Sequence, residues 1–206
     1  MKLKKDTAKN NSMIDLSQDV LSVAPRLLGY NLLVIDEDGQ QAGGKIVEVE
    51  AYMASDAASH SYRGETRRTT VMFRPAGGIY VYFTYGMHIC MNVVTGKEGE
   101  GEAVLVRALQ PIVGLEYMWP RRFNEPLPDE PQHTKLVQLT NGPAKLTQAL
   151  GLTMQDNGIQ LGEGRIELRP GDEPIVVAQT TRIGITKAID MPWRWYIKGN
   201  EWVSRR

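Results

Sequence analysis

Hydrophobic and polar positions along this chain change places in short blocks, and few of the blocks carry a helical period. The clearest helical pattern covers residues 15–28, where Leu16, Val20, Leu21, Val23, Leu27 and Leu28 suit one face and Gly29 is a natural stop. Pro25 is expected to kink this helix or to begin a second turn. Residues 141–151 carry a cap, an early proline and a terminal glycine in the order a short helix needs. The remaining apolar blocks are strand-like: 31–35, 45–52, 79–83, 89–94 and 103–109, then shorter ones at 165–168 and 175–178. Residues 36–39 read as a turn, and the four prolines in 119–132 as a long surface connection. Short strands with few helices predict an α+β fold, a single compact domain around an antiparallel or mixed sheet. Its boundaries are expected at 15–206, after a polar and mobile tail at 1–14.

One block stands apart. Residues 45–52 alternate as a strand, with Val47, Val49 and Ala51 on one face and Ile46, Glu48, Glu50 and Tyr52 on the other. Two carboxylates thus share a face with a tyrosine. Residues 79–83 and 89–94 form a hairpin across Gly86, and its tip carries Tyr85, Met87 and His88 where water-exposed turns use Asn, Asp, Gly or Ser. The hairpin is expected to protrude. Arg107 stands between aliphatic neighbours in the next strand, so it needs a buried partner, and Glu48, Glu50 and Asn92 are the candidates.

Composition narrows the classes. With 206 residues and 42% hydrophobic content, the chain suits one core. Its 24 basic and 24 acidic residues balance, which counts against a protein that coats nucleic acid non-specifically. Charge is nonetheless segregated: Arg63, Arg67, Arg68 and Arg74 face a single acid, Glu65, between His60 and Pro75. Such a connector can meet phosphates, as can Lys145 at the start of the second helix. A lone cysteine, Cys90, excludes an intrachain disulfide, and no apolar run nears the roughly 18 residues of a membrane span. With no signal-peptide pattern at the start, an intracellular protein is expected, cytoplasmic and nucleoid-associated in a prokaryote. Three histidines without zinc-ligand spacing, and no Gly-rich phosphate loop, predict neither metal nor organic cofactor.

The marked residues point to chemistry on a base taken out of a duplex. Bulky groups on an extended tip can wedge into stacked bases, and Tyr52, His60 and Tyr82 offer flat surfaces for a planar heterocycle. An ionised carboxylate can deprotonate water and stabilise an oxocarbenium-like sugar. Residues i and i+2 of a strand lie roughly 6.6 Å apart, within the spacing at which paired acids admit a water. Pattern alone leaves Glu48 and Glu50 equivalent. It also leaves open a non-catalytic binder of distorted DNA and a hydrolase of free nucleosides.

Seven ordered segments, among them residues 47–52, 59–61, 72–75, 80–87, 91–93, 104–108 and 142–146, resemble the alkyladenine (3-methyladenine) DNA glycosylase family. The similarity runs from about Leu16 to Trp202. It implies a compact mixed α/β domain that works as a monomer, without cofactor, on double-stranded DNA containing damaged purines. It implies water activation by Glu50 with Arg107 beside the water, stacking by Tyr52 and Tyr82, and a purine contact by His60. Asn92 then crowds the purine 2-position and Tyr85 intercalates; beside these, Met87 is expected next to Tyr85 at the tip, and Arg63, Arg67, Arg68 and Lys145, from their charge and position, on the DNA backbone. The implied reaction is monofunctional removal of 3-methyladenine, hypoxanthine or ethenoadenine, initiating base excision repair. The chain departs from the family at His88, where an aromatic residue often follows Tyr-Gly-Met, and its loop from Tyr52 to His60 is one residue shorter than in some relatives.

Overall fold

Two aspartates decide where the first helix begins. In the computed structural model, which describes residues 13–84, 86–171 and 173–204, Asp15 accepts hydrogen bonds from the Ser17 N–H (3.0 Å) and hydroxyl (2.6 Å). That local turn competes with helix. Asp19 then caps the true start by accepting from the Ser22 N–H at 3.0 Å. Helix α1 is therefore Val20–Leu27, shorter than the expected 15–28, and continues through Pro25. Ile14 is buried in the main core, while residues 1–12 of the expected tail lie outside the described residues.

The chain continues through β1 (Asn31–Ile35), β2 (Gln41–Tyr52), β3 (Ile79–Thr84), β4 (His88–Thr95) and β5 (Glu102–Val113), then helices α2 (Leu115–Phe123), α3 (His133–Val137) and α4 (Pro143–Leu150). Three short strands close it: β6 (Ile166–Arg169), β7 (Val177–Thr180) and β8 (Arg194–Ile197). All the pairings are antiparallel, in the order β3-β4-β5-β2-β1-β6, with β8 joining β2 to β7. The fold is α+β, as the pattern predicts.

Strand β2 is central. Along its first half it pairs with β1, and at Glu48–Glu50 with β8, while β5 runs along its other side. Gly43 and Gly44 permit this close packing: a Cβ there would lie 2.2 Å from the Leu32 and the Gln110 carbonyl oxygens. The expected alternation fails at one place. The β2–β5 register runs Ile46↔Leu109, Glu48↔Ala108, Val49↔Val106, so Val47 and Arg107 are both extra residues. This irregularity puts Ile46 in the main core with Val49 and Ala51, where simple alternation assigns it to the carboxylate face.

The sheet separates two environments. Val49, Ala51, Val81, Met91, Val104 and Val106 build the main core with α1 and with Met118, Leu146 and Leu150 from α2 and α4. By the period of a strand, Glu48, Glu50, Tyr80, Tyr82, Asn92 and Arg107 belong to the other face. Helix α2 corrects the expected loop at 119–132. Leu115, Met118 and Trp119 sit at helical spacing, and Trp119 is buried despite Pro120 beside it. The helix costs one backbone bond at the proline and gains a packed tryptophan. No helix among the described residues is long and apolar enough to cross a membrane.

Candidate active site

The polar face of the sheet opens into a cavity of about 830 Å³. Strands β2 to β5 supply Tyr52, Tyr82, Asn92 and Arg107 to its wall, the turn after β2 supplies His60, and the start of α4 supplies Lys145. A segment far away in sequence, residues 183–187, closes another side.

The two carboxylates that pattern left equivalent are placed differently. Both are fully buried. Glu50 Oε1 accepts from the Ile183 N–H at 2.7 Å and pairs with Arg107 Nη1 at 3.1 Å; Oε2 accepts from the Tyr52 hydroxyl at 2.8 Å. All three partners line the cavity, so Glu50 lies directly behind its wall. Glu48 turns to the opposite end of the cluster. Its Oε1 accepts from Arg107 Nε (3.1 Å), Arg194 Nε (2.7 Å) and the Ser204 hydroxyl (2.9 Å), and its Oε2 from the Ser204 N–H (2.6 Å). Arg107 thus bridges the acids, as its position in an apolar strand required. Burial opposes its charge, but Glu50 and Glu48 more than offset this and raise its pKa. Asn92, the third expected partner, instead donates to the Tyr80 carbonyl at 3.1 Å.

Aromatic rings form the other wall. His60 meets Tyr82 edge-on with centroids 4.5 Å apart, and Tyr80 stacks on Tyr82 at 5.5 Å. His60 Nδ1 is 3.1 Å from the Tyr80 hydroxyl. Desolvation, then the charge of Arg68, lower the His60 pKa to about 4, so the ring is neutral at pH 7. Burial first, then the Glu50 charge, push the Tyr52 hydroxyl far above its ordinary range and keep it a donor. On Tyr52 the Arg182 guanidinium lies 4.7 Å from the ring centroid, and 5.0 Å from that of Trp193. Arg182 is itself locked by a buried ion pair with Asp56 and by a 2.9 Å bond to the Ala51 carbonyl. A neutral histidine, two tyrosines and a carboxylate-backed floor make a slot for a planar, weakly polar ring.

The family profile of methylpurine-DNA glycosylases matches residues 14–201. The chain belongs to that family. A Methanoculleus marisnigri protein that carries the provisional name 3-methyladenine DNA glycosylase is 52% identical over 194 residues, covering 92% of this chain and 95% of its own length. Proteins with the same provisional name from Francisella tularensis (47% identity; 96% and 100% covered) and Carboxydothermus hydrogenoformans (45%; 92% and 96%) are similar throughout. The methylpurine-DNA glycosylase family comprises DNA repair enzymes that hydrolyse N-glycosyl bonds, and DNA is the substrate.

Within this glycosylase, the structure brings Glu50, Arg107, Tyr52, His60, Tyr82 and Asn92 around one cavity. Met87 is exposed at the hairpin tip, as is Phe83 nearby, while Tyr85 lies outside the described residues. Arg63 and Arg67 are exposed and do not line the cavity. Arg68 is exposed too but lines the cavity, its guanidinium 5.5 Å from the Tyr82 centroid. Lys145 Nζ donates to Asn141 Oδ1 at 2.7 Å, and desolvation, then Arg122, lower its pKa. Sequence reasoning missed Ile183, whose backbone N–H holds Glu50, because a backbone contact leaves no side-chain signature. It also missed Asp56 and Arg182, which are 126 positions apart.

Proposed function

We propose that this glycosylase takes an alkylated or deaminated purine, such as 3-methyladenine, hypoxanthine or ethenoadenine, out of duplex DNA and hydrolyses its glycosidic bond by direct attack of water. The observation that carries the proposal is the asymmetry of the two acids. Glu48 is turned to arginines and Ser204, whereas the partners of Glu50 all line the cavity.

In this reading the purine enters between Tyr52 and the Tyr82–His60 wall. Water admitted at the floor, beside Tyr52 and Arg107, gives its proton to Glu50 as its oxygen bonds to C1′. The C1′–N bond breaks and its electron pair leaves with the base. The nearby carboxylate also stabilises the positive charge that grows on the sugar. Asn92, fixed by its bond to Tyr80, narrows the slot at the purine 2-position. Tyr85 fills the vacated stack, with exposed Met87 against its rim. Arg63, Arg67, Arg68 and Lys145 engage phosphates, and the protein acts as a monomer.

Glu50→Gln tests this on a duplex oligonucleotide holding one hypoxanthine or ethenoadenine. Base release is expected to fall about 1,000-fold or more, in the upper part of the roughly 10²–10⁴ range typical of general base catalysis, while lesion binding persists. Borohydride should trap no covalent enzyme–DNA adduct. Substantial release by the variant removes Glu50 from the mechanism.

A further inference from the structure

Glu48 raises a question the proposed reaction does not answer. Burying a carboxylate that never meets substrate is costly unless it is paired, and this one accepts four hydrogen bonds. Like Glu50 it does not itself line the cavity, and of its partners Arg107 does while Arg194 and Ser204 do not. Its partners are also unevenly distributed. Arg107 touches both acids, through Nε to Glu48 and through Nη1 to Glu50. Arg194 and Ser204 hold Glu48 itself.

The backbone is distorted at the same place. Arg107 and Val47 are the extra residues in the β2–β5 register, so the irregularity falls on the arginine and beside Glu48. Such irregularities re-aim a side chain. Here the re-aimed guanidinium spans two carboxylates on neighbouring positions of one strand face. An arginine side chain has several rotatable bonds; Glu48 fixes its near end at Nε, and the Ile183 carbonyl and the Ser204 hydroxyl, each 3.5 Å from a far nitrogen, help to aim Nη1 at Glu50. The charges matter as well. Glu48 offsets positive charge that would otherwise act on Glu50 alone.

We infer that Glu48 is a positioning residue for the glycosylase reaction: it holds Arg107 with Nη1 on Glu50 and offsets the arginine charge, so that Glu50 can accept a proton from water. This rests on the reading that Glu50 activates water. A purely structural carboxylate, there only to neutralise two buried arginines, would support the fold without tuning the reaction.

The test measures single-turnover base release from the same duplex between pH 5 and 9, with lesion affinity and thermal melting, for Glu48→Gln, Glu48→Asp, Ser204→Ala and Glu50→Gln. Glu48→Gln is expected to slow release at least tenfold, to change affinity less than about threefold, and to move the acid limb of the pH profile to lower pH, since loss of one negative charge favours ionised Glu50. Glu48→Asp keeps the charge and should keep the wild-type acid limb at a reduced rate. Ser204→Ala, which removes one bond to Glu48 and a 3.5 Å bond from Arg107 Nη2 to the same hydroxyl, should slow release two- to fivefold and decides the matter if Glu48→Gln does not fold. A folded Glu48→Gln with wild-type rate overturns the proposal. So does a slowed variant whose acid limb stays in place, or an unchanged Ser204→Ala where the glutamine variant is unfolded. Glu50→Gln separates the two failures: if it still releases base, the reading of Glu50 fails and this proposal with it; if it is inactive while Glu48→Gln matches wild type, only the role of Glu48 falls.

Discussion

The Tyr52 hydroxyl donates to Glu50 Oε2 at 2.8 Å, so a ring on the cavity wall is tied to the acid behind it. Tyr52→Phe keeps the ring and removes that bond. Hydrogen bonds to charged groups contribute about 1.5–3 kcal/mol, so base release is expected to fall about 10- to 100-fold while lesion affinity stays within about threefold. A hydrogen bond to the ionised form favours it, so its loss moves the acid limb upward. That shift is opposite to the one expected for Glu48→Gln. Rate–pH profiles of both variants check the pair of signs.

Arg182 and Asp56 form a buried ion pair beneath Tyr52. Asp56→Ala leaves a guanidinium without its counter-charge in the interior, which costs about 3–5 kcal/mol. Urea denaturation should show a lowered midpoint of that order. Because Arg182 also stands against Tyr52 and Trp193, lesion affinity should fall in variants that remain folded. The double variant Asp56→Leu/Arg182→Met should recover part of the lost stability, since an apolar pair needs no counter-charge, but not the lost affinity.

How far the chain could be read before its structure depended on the range of each signal. The strand with Glu48, Glu50 and Tyr52 was legible because its pattern is local, as was the need of Arg107 for a carboxylate. The register irregularity at Val47 was not, because nothing in residues 45–52 alone says that β5 carries an extra residue opposite. Helix α2 was hidden by Pro120, a strong local breaker overruled by the burial of Trp119. The choice between Glu48 and Glu50 depends on Ile183, Arg194 and Ser204, whose positions follow only from the closed sheet.

His60 makes a prediction about pH. Desolvation and Arg68 hold its folded pKa at about 4, against about 6.5 for an unfolded histidine. Above pH 6.5 the ring is neutral in both states and contributes nothing to pH dependence. Between about 6.5 and 4 the unfolded chain binds more protons, so stability falls as pH falls, and the effect levels off below the folded value. Part of the ring meets solvent, which keeps the effect small. Imidazole NMR should show a neutral ring down to about pH 4, and His60→Gln should flatten this component of the stability profile.

Lys145 separates binding from chemistry. It stands in the first turn of α4, on the cavity wall, with Nζ on Asn141 Oδ1. A cation beside a helix N-terminus suits a phosphate, whereas the bonds that orient Glu50 come from Tyr52, Arg107 and Ile183. Lys145→Ala is therefore expected to weaken binding to lesion and undamaged duplex by a similar factor. The slope of log affinity against log salt should fall by about one, the signature of one lost phosphate contact. Release from the saturated complex should stay within about twofold of wild type. Titrations at several salt concentrations, paired with single-turnover rates, check both parts, and a loss confined to the rate would move Lys145 from the DNA backbone to the reacting base.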